Sequence, residues 1–172
     1  LLAMSVGGVV LAAGCSTRMG RNKILLPYRG RTLLCHALQC MAGSPISPVI
    51  CVLGFRADEV LPAVRSCSFP REIRYLINRE HVSGRASSVR LGLEALPKEC
   101  EAAVFLPGDM PLVLPADVAA LVGDVVGPCC QGGVVAVPVK MEPSIVGERT
   151  EDAMVPSIAI LVVVRRRWAS IG

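Results

Sequence analysis

A chain of 172 residues, 52% hydrophobic and 19% charged, is too apolar to be disordered and long enough for one domain with a proper core, but not for two full ones. A net charge of +4 and an aromatic content of 3% argue against a nucleic-acid surface, which calls for a dense basic patch interleaved with stacking rings. The same mild positive balance suits an anionic small molecule such as a nucleotide.

Taken in chain order, short runs rich in β-branched residues alternate with segments of helical spacing. A strand is predicted over Val6–Ala13, a helix over Thr32–Met41, a strand over Val49–Gly54 and a helix over Ala57–Val64. A strand over Ile73–Ile77, a helix over Ala86–Leu96, a strand over Ala103–Leu106, a helix over Pro115–Val126 and a strand over Val134–Val139 follow. In the third helix Val89, Leu93 and Leu96 form one apolar stripe. The run Ser157–Val164, "SIAILVVV", has the length of a strand and not the roughly 20 apolar residues that a bilayer span requires. Strands without polar alternation, separated by helices, imply a mostly parallel sheet buried on both faces: a three-layer α/β/α, Rossmann-like sandwich. Right-handed crossovers then bring the loops after Ala13, Ile77 and Leu106 to one edge of the sheet.

The stretch "GGVVLAAGCSTRMGRNK" allows two readings, an export signal ending in a lipid-acceptor cysteine or a strand running into a phosphate-binding loop. No Lys or Arg precedes Arg18, two glycines interrupt the apolar run, and a cationic segment follows Cys15 where a polar linker would be expected. The loop reading is preferred, with a cytoplasmic protein and no membrane association as the expectation. Of eight cysteines, six sit singly and read as small buried hydrophobes in a reducing compartment, and the adjacent Cys129-Cys130 reads as two ordinary residues. With no C-x2-C pair, and with His36 and His81 far apart, a structural zinc site is not expected.

Each of the three loops holds polar residues with a functional and a structural reading. In the first, Gly14 and Gly20 permit a tight path with exposed N–H groups while Arg18 and Lys23 add positive charge; a glycine-rich turn with solvated cations explains the same residues. In the second, "NREHVSGRASS", Ser87 and Ser88 either cap the helix near Ala86 or contact a nucleotide, and Asn78 is either a turn former or a ligand contact. In the third, Asp109 stands at a strand end between Pro107 and Pro111. It is a turn residue or a carboxylate able to hold Mg2+ against nucleotide phosphates.

Together "VVLAAGCSTRMGRNKILLPYRGRTLL", "INREHVSGRASSVRLGL" and "LPGDMPL" resemble the MobA-like nucleotidyltransferases, most closely the molybdenum cofactor cytidylyltransferase branch, over about residues 6–140. The resemblance implies a nucleotide-diphospho-sugar transferase-like fold in which the backbone of Leu11, Ala12, Ala13 and Gly14 contacts the base. It also implies that Arg18 and Lys23, with the Gly20 turn, hold the triphosphate, that Asn78 and Ser88 lie along the nucleotide, and that Asp109 binds Mg2+. Asn22 before Lys23, where sugar-nucleotide and isoprenoid relatives usually place proline, favours the cofactor branch. Ala13, where guanylyl-transferring relatives tend to carry glycine, favours CTP over GTP. The implied reaction joins CMP to the phosphate of molybdopterin and releases pyrophosphate, for delivery to a molybdenum hydroxylase.

Residues 1–140 are therefore expected to form the nucleotide-binding domain, and residues 141–172 an atypical segment, either part of that domain or poorly ordered. The tail lacks the Gly-His-Pro segment of the relatives. Three alternatives stay open: a catalytically impaired accessory protein for molybdenum hydroxylase maturation, a GTP- or sugar-phosphate-specific relative, and a lipid-anchored exported protein.

Overall fold

The structure, a computed structural model, describes residues 5–14, 22–125, 133–138 and 159–164; for residues 124–125 and the last two segments only the backbone is described. Its main sheet comprises β1 (Val6–Ala12), β4 (Val49–Leu53), β5 (Ile73–Ile77), β6 (Ala102–Pro107), β7 (Gly133–Pro138) and β8 (Ala159–Val164). A small hairpin pairs β2 (Pro27–Tyr28) with β3 (Arg31–Thr32). Helices α1 (Leu33–Gly43), α2 (Ala57–Arg65), α3 (Arg85–Ala95) and α4 (Pro115–Val125) and the 3-10 turns Lys23–Leu25 and His81–Ser83 complete the described elements. Each predicted strand and helix is present, with no end shifted by more than two residues.

The six-stranded sheet has the order β5-β4-β1-β6-β8-β7. The chain leaves β1 toward β4 on one side and returns through β6 on the other, so the strand order reverses at β1. Strands β5, β4, β1 and β6 are parallel, and β8 runs antiparallel to both β6 and β7. The late apolar run is therefore a strand placed inside the sheet.

Both faces are covered, and the period-2 alternation of the strands assigns residues to each. Val10 and Ala12 of β1, Cys51 and Leu53 of β4, and Val104 and Leu106 of β6 pack with α1, α2 and α4 through Leu34, Leu38, Val60, Val118 and others. Val9 and Ala13, Ile50 and Val52, and Ala103 and Phe105 face the opposite way, where Leu96 and the partly buried Val89 and Leu93 cover them. The apolar stripe read in the sequence is thus the sheet-facing side of α3. Gly92 lets that helix approach closely, since a Cβ there would lie 2.6 Å from Val9 Cγ1.

One expectation is corrected. Cys35, in the first turn of α1, is disulfide-bonded to Cys67, just past α2. Those two cysteines are a covalent cross-link and not isolated hydrophobes, and the argument from cysteine usage for a reducing compartment loses its support. A separation of 32 residues hides the pairing in the sequence. Cys40, Cys51 and Cys100 are free and buried, as read. Cys15, Cys129 and Cys130 lie outside the described residues.

Candidate active site

The register of the parallel strands brings their carboxyl ends together. Ala12 lies opposite Leu53, Leu11 opposite Pro107, and Leu53 opposite Ile77. Two backbone bonds extend the pattern past the strands: Asn78 N donates to Leu53 O at 2.7 Å, and Gly108 N donates to Leu11 O at 2.8 Å. The three predicted loops therefore leave one edge, beside the point where strand order reverses, which is where α/β sheets place their ligands.

In the first loop Leu11 is half-buried, Ala12 and Ala13 are buried, and Gly14 is exposed, with open space where its Cβ would stand. Arg18 and Gly20 lie outside the described residues. Lys23 opens the 3-10 turn Lys23–Leu25, and its Nζ lies 3.0 Å from Asp109 Oδ2 in the third loop. Side chains 49% and 36% exposed make this a solvent-screened ion pair, worth about 0–1 kcal/mol. Such a pair opens at little cost.

The second loop is locked by its own side chains. Asn78 Oδ1 accepts from Glu80 N at 2.9 Å, and Asn78 Nδ2 donates to Ser87 Oγ and Ser88 Oγ, each at 2.9 Å. Asn78 and Ser88 are 5% and 3% exposed, so this is a buried junction between the end of β5 and the first turns of α3. Of the two readings of Ser87 and Ser88, helix capping is overturned. The helix starts at Arg85, Gly84 occupies the cap position with φ 102°, and both serines fall inside the helix. Ser87 Oγ instead donates to Gly84 O at 2.8 Å.

Sequence reasoning missed two residues that shape this edge. Gly54, just past β4, has no room for a side chain, because a Cβ would lie 2.6 Å from His81 Cβ and 2.7 Å from Ala13 Cβ. It lets the loops after β1 and β5 meet over the end of β4. Asn22 is marked in the sequence only by its place before Lys23; it is 5% exposed, and its Nδ2 donates to Phe55 O at 3.4 Å.

Among the described residues no group of three or more His, Cys, Asp or Glu could cage a metal. Asp109 nonetheless fits Mg2+, which is commonly held by one or two carboxylates together with substrate phosphates and water. No helix among the described residues is long and apolar enough to cross a membrane.

A mostly parallel sheet whose order reverses at β1, carrying its charged loops at the carboxyl edge, defines an α/β domain of the nucleotide-diphospho-sugar transferase type. The family model "MobA-like NTP transferase domain" matches residues 8–164, and the chain belongs to that family. Bifunctional protein GlmU of Corynebacterium aurimucosum is 37% identical over 112 residues, covering 62% of this chain and 23% of that protein. The chain spans about a quarter of the length of the curated relatives it matches. Among solved structures, Rv0371c of Mycobacterium tuberculosis H37Rv is similar with a TM-score of 0.63 and 30% identity over 79% of this chain and 66% of that one. A manganese complex of the same protein is similar with a TM-score of 0.59 and 29% identity over 78% of this chain and 64% of that one.

Proposed function

We propose that this domain is a Mg2+-dependent nucleotidyltransferase that moves CMP from CTP to the phosphate of a molybdopterin-type acceptor and releases pyrophosphate. The observation that carries the reading is the meeting of Lys23 and Asp109 at 3.0 Å on the ligand-binding edge of the sheet, from loops 86 residues apart. A cation and a carboxylate so placed can trade each other for a metal-bound triphosphate. Lys23 and Arg18 bind phosphate oxygens, Asp109 holds the metal, and the backbone from Leu11 to Gly14 faces the base. Asn78 and Ser88 shape the side of the nucleotide site through their buried junction. The manganese complex of the Mycobacterium relative supports a divalent ion in this family's sites.

An acceptor phosphate oxygen forms a bond to the α-phosphorus of CTP as the bond from that phosphorus to pyrophosphate breaks. The attacking oxygen is already anionic, so no general base is required, and the protein's work is positioning and charge neutralisation. Asp109 would hold the metal, which when bound would supply further neutralisation of charge on the leaving group. The fold of the nucleotide-diphospho-sugar transferase type favours a second reading, in which the acceptor is a sugar phosphate.

Calorimetric titration of CTP, GTP and UTP with and without Mg2+, followed by pyrophosphate-release assays with molybdopterin and with sugar 1-phosphates, tests both. Mg2+-dependent CTP binding with release only on molybdopterin is expected. Release on a sugar phosphate alone establishes the second reading, and no binding of any nucleotide by folded protein refutes both.

A further inference from the structure

We infer that Asn22 is a positioning residue that holds Lys23 in place for its contact with phosphate; the inference rests on the phosphate role proposed above for Lys23. Asn22 precedes the 3-10 turn that Lys23 opens, yet its side chain makes no capping bond to that turn. It is instead 5% exposed, and Nδ2 donates to the carbonyl of Phe55, the second residue past β4, at 3.4 Å. Its Oδ1 is buried with no hydrogen-bond partner among the described residues.

Burying an amide costs free energy that burying an apolar group of similar size does not. An apolar side chain, like that of the neighbouring buried Ile24, would fill the space without the cost. What the amide adds is its donor end, and the bond it makes there leads to the turn after a central strand. Downstream of Lys23, the chain is held by Ile24 in the core and by Leu25 N donating to Asn22 O at 3.0 Å. Upstream, the Asn22 to Phe55 bond supplies the anchor. The backbone of Lys23 is thereby fixed on both sides, and its exposed Nζ works from a fixed base toward Asp109.

The test is a double-mutant cycle read by calorimetric binding of inorganic tripolyphosphate with Mg2+, a probe that lacks base and ribose. Asn22→Ala removes the amide. Asn22→Leu does the same while filling the buried space with an apolar side chain, and provides a second variant should the first fold poorly. Each is expected to weaken binding about five- to tenfold, the worth of one net hydrogen bond, without lowering the unfolding midpoint. Lys23→Ala weakens it by about tenfold or more, and the double variant Asn22→Ala/Lys23→Ala is no more than about twofold weaker than Lys23→Ala alone, because Asn22 acts through the lysine. Additive losses, or Asn22 variants that bind like the parent while Lys23→Ala does not, overturn the positioning role and leave the phosphate reading intact. An Asn22 variant whose loss of binding tracks a loss of stability also overturns it. No effect of Lys23→Ala overturns the phosphate role of Lys23, and with it this inference.

Discussion

Replacing Gly92 by alanine sets two opposing effects of known size against each other. An alanine in an exposed helix interior stabilises by about 1 kcal/mol over glycine, through backbone entropy and propensity. At position 92, however, the added Cβ would stand 2.6 Å from Val9 Cγ1 and 3.3 Å from Val9 Cγ2, against the 3.5–4.0 Å of ordinary carbon contact. Val9 cannot yield easily: it is fully buried, β-branched and stiff at χ1, and its strand is paired on both sides. Overpacking of this kind costs about 1–3 kcal/mol, so the net expectation is destabilisation by up to about 2 kcal/mol. Gly123 in α4 is the internal control, because a Cβ there meets nothing within 4 Å and alanine should stabilise by up to about 1 kcal/mol. Urea unfolding of the parent and both variants, compared at equal m-values, measures both signs. Because α3 also carries Ser88, the displaced helix should loosen the Asn78 junction and weaken CTP binding as well. A Gly92→Ala variant stabilised as much as Gly123→Ala would refute the close approach of α3 to the sheet.

Asn78→Leu removes the three bonds that Asn78 makes to Glu80, Ser87 and Ser88, and should cost about 3 kcal/mol in urea unfolding; a loss under about 1 kcal/mol would contradict the buried junction. Converting Cys35 and Cys67 together to alanine should cost about 4 kcal/mol, from loop closure over a 32-residue separation. Thiol titration of the denatured protein before and after reduction checks the bond itself, and equal counts would show it absent. Burial pushes the Cys40 thiol from 9.0 up to about 12, with Asp117 adding to the rise and the Ser44 hydrogen bond opposing it. Burial likewise raises the Cys51 thiol. Both groups are protonated in folded and unfolded chains below pH 9.0, and above it the unfolded state ionises first. Stability should therefore hold to about pH 9.0 and fall as pH rises toward 12, and a urea midpoint that stays flat over this range would count against the burial of both thiols.

What was legible in the sequence was local. Runs such as Val49–Leu53 and the stripe of Val89, Leu93 and Leu96 announce strand and helix because their spacing is itself the signal. The edge carrying the loops followed from the alternation of elements, since parallel crossovers leave little choice of where loops go. Pairings across long separations left no such trace. Lys23 and Asp109 were each singled out, but nothing in the chain states that they meet, and the same holds for Cys35 with Cys67. Asn78 and Ser88 were named as two residues and prove to be one junction. The β2–β3 hairpin and the 3-10 turns are too short to carry any period. Ala159–Val164 could be recognised as strand-length, but its slot depends on what β6 and β7 leave open, which is a property of the assembled sheet.

That slot bears on how the domain is made. As the chain is synthesised, β6 and then β7 appear well before β8, yet each pairs with β8 and not with the other. Until residues 159–164 arrive, β6 presents an open row of backbone donors and acceptors to its surroundings, an invitation to pair with another nascent copy. The turn bearing Asp109 hangs from the end of that same strand. Both halves of the site hang from the β1–β6 pair, which can form before β8 closes the open edge of β6.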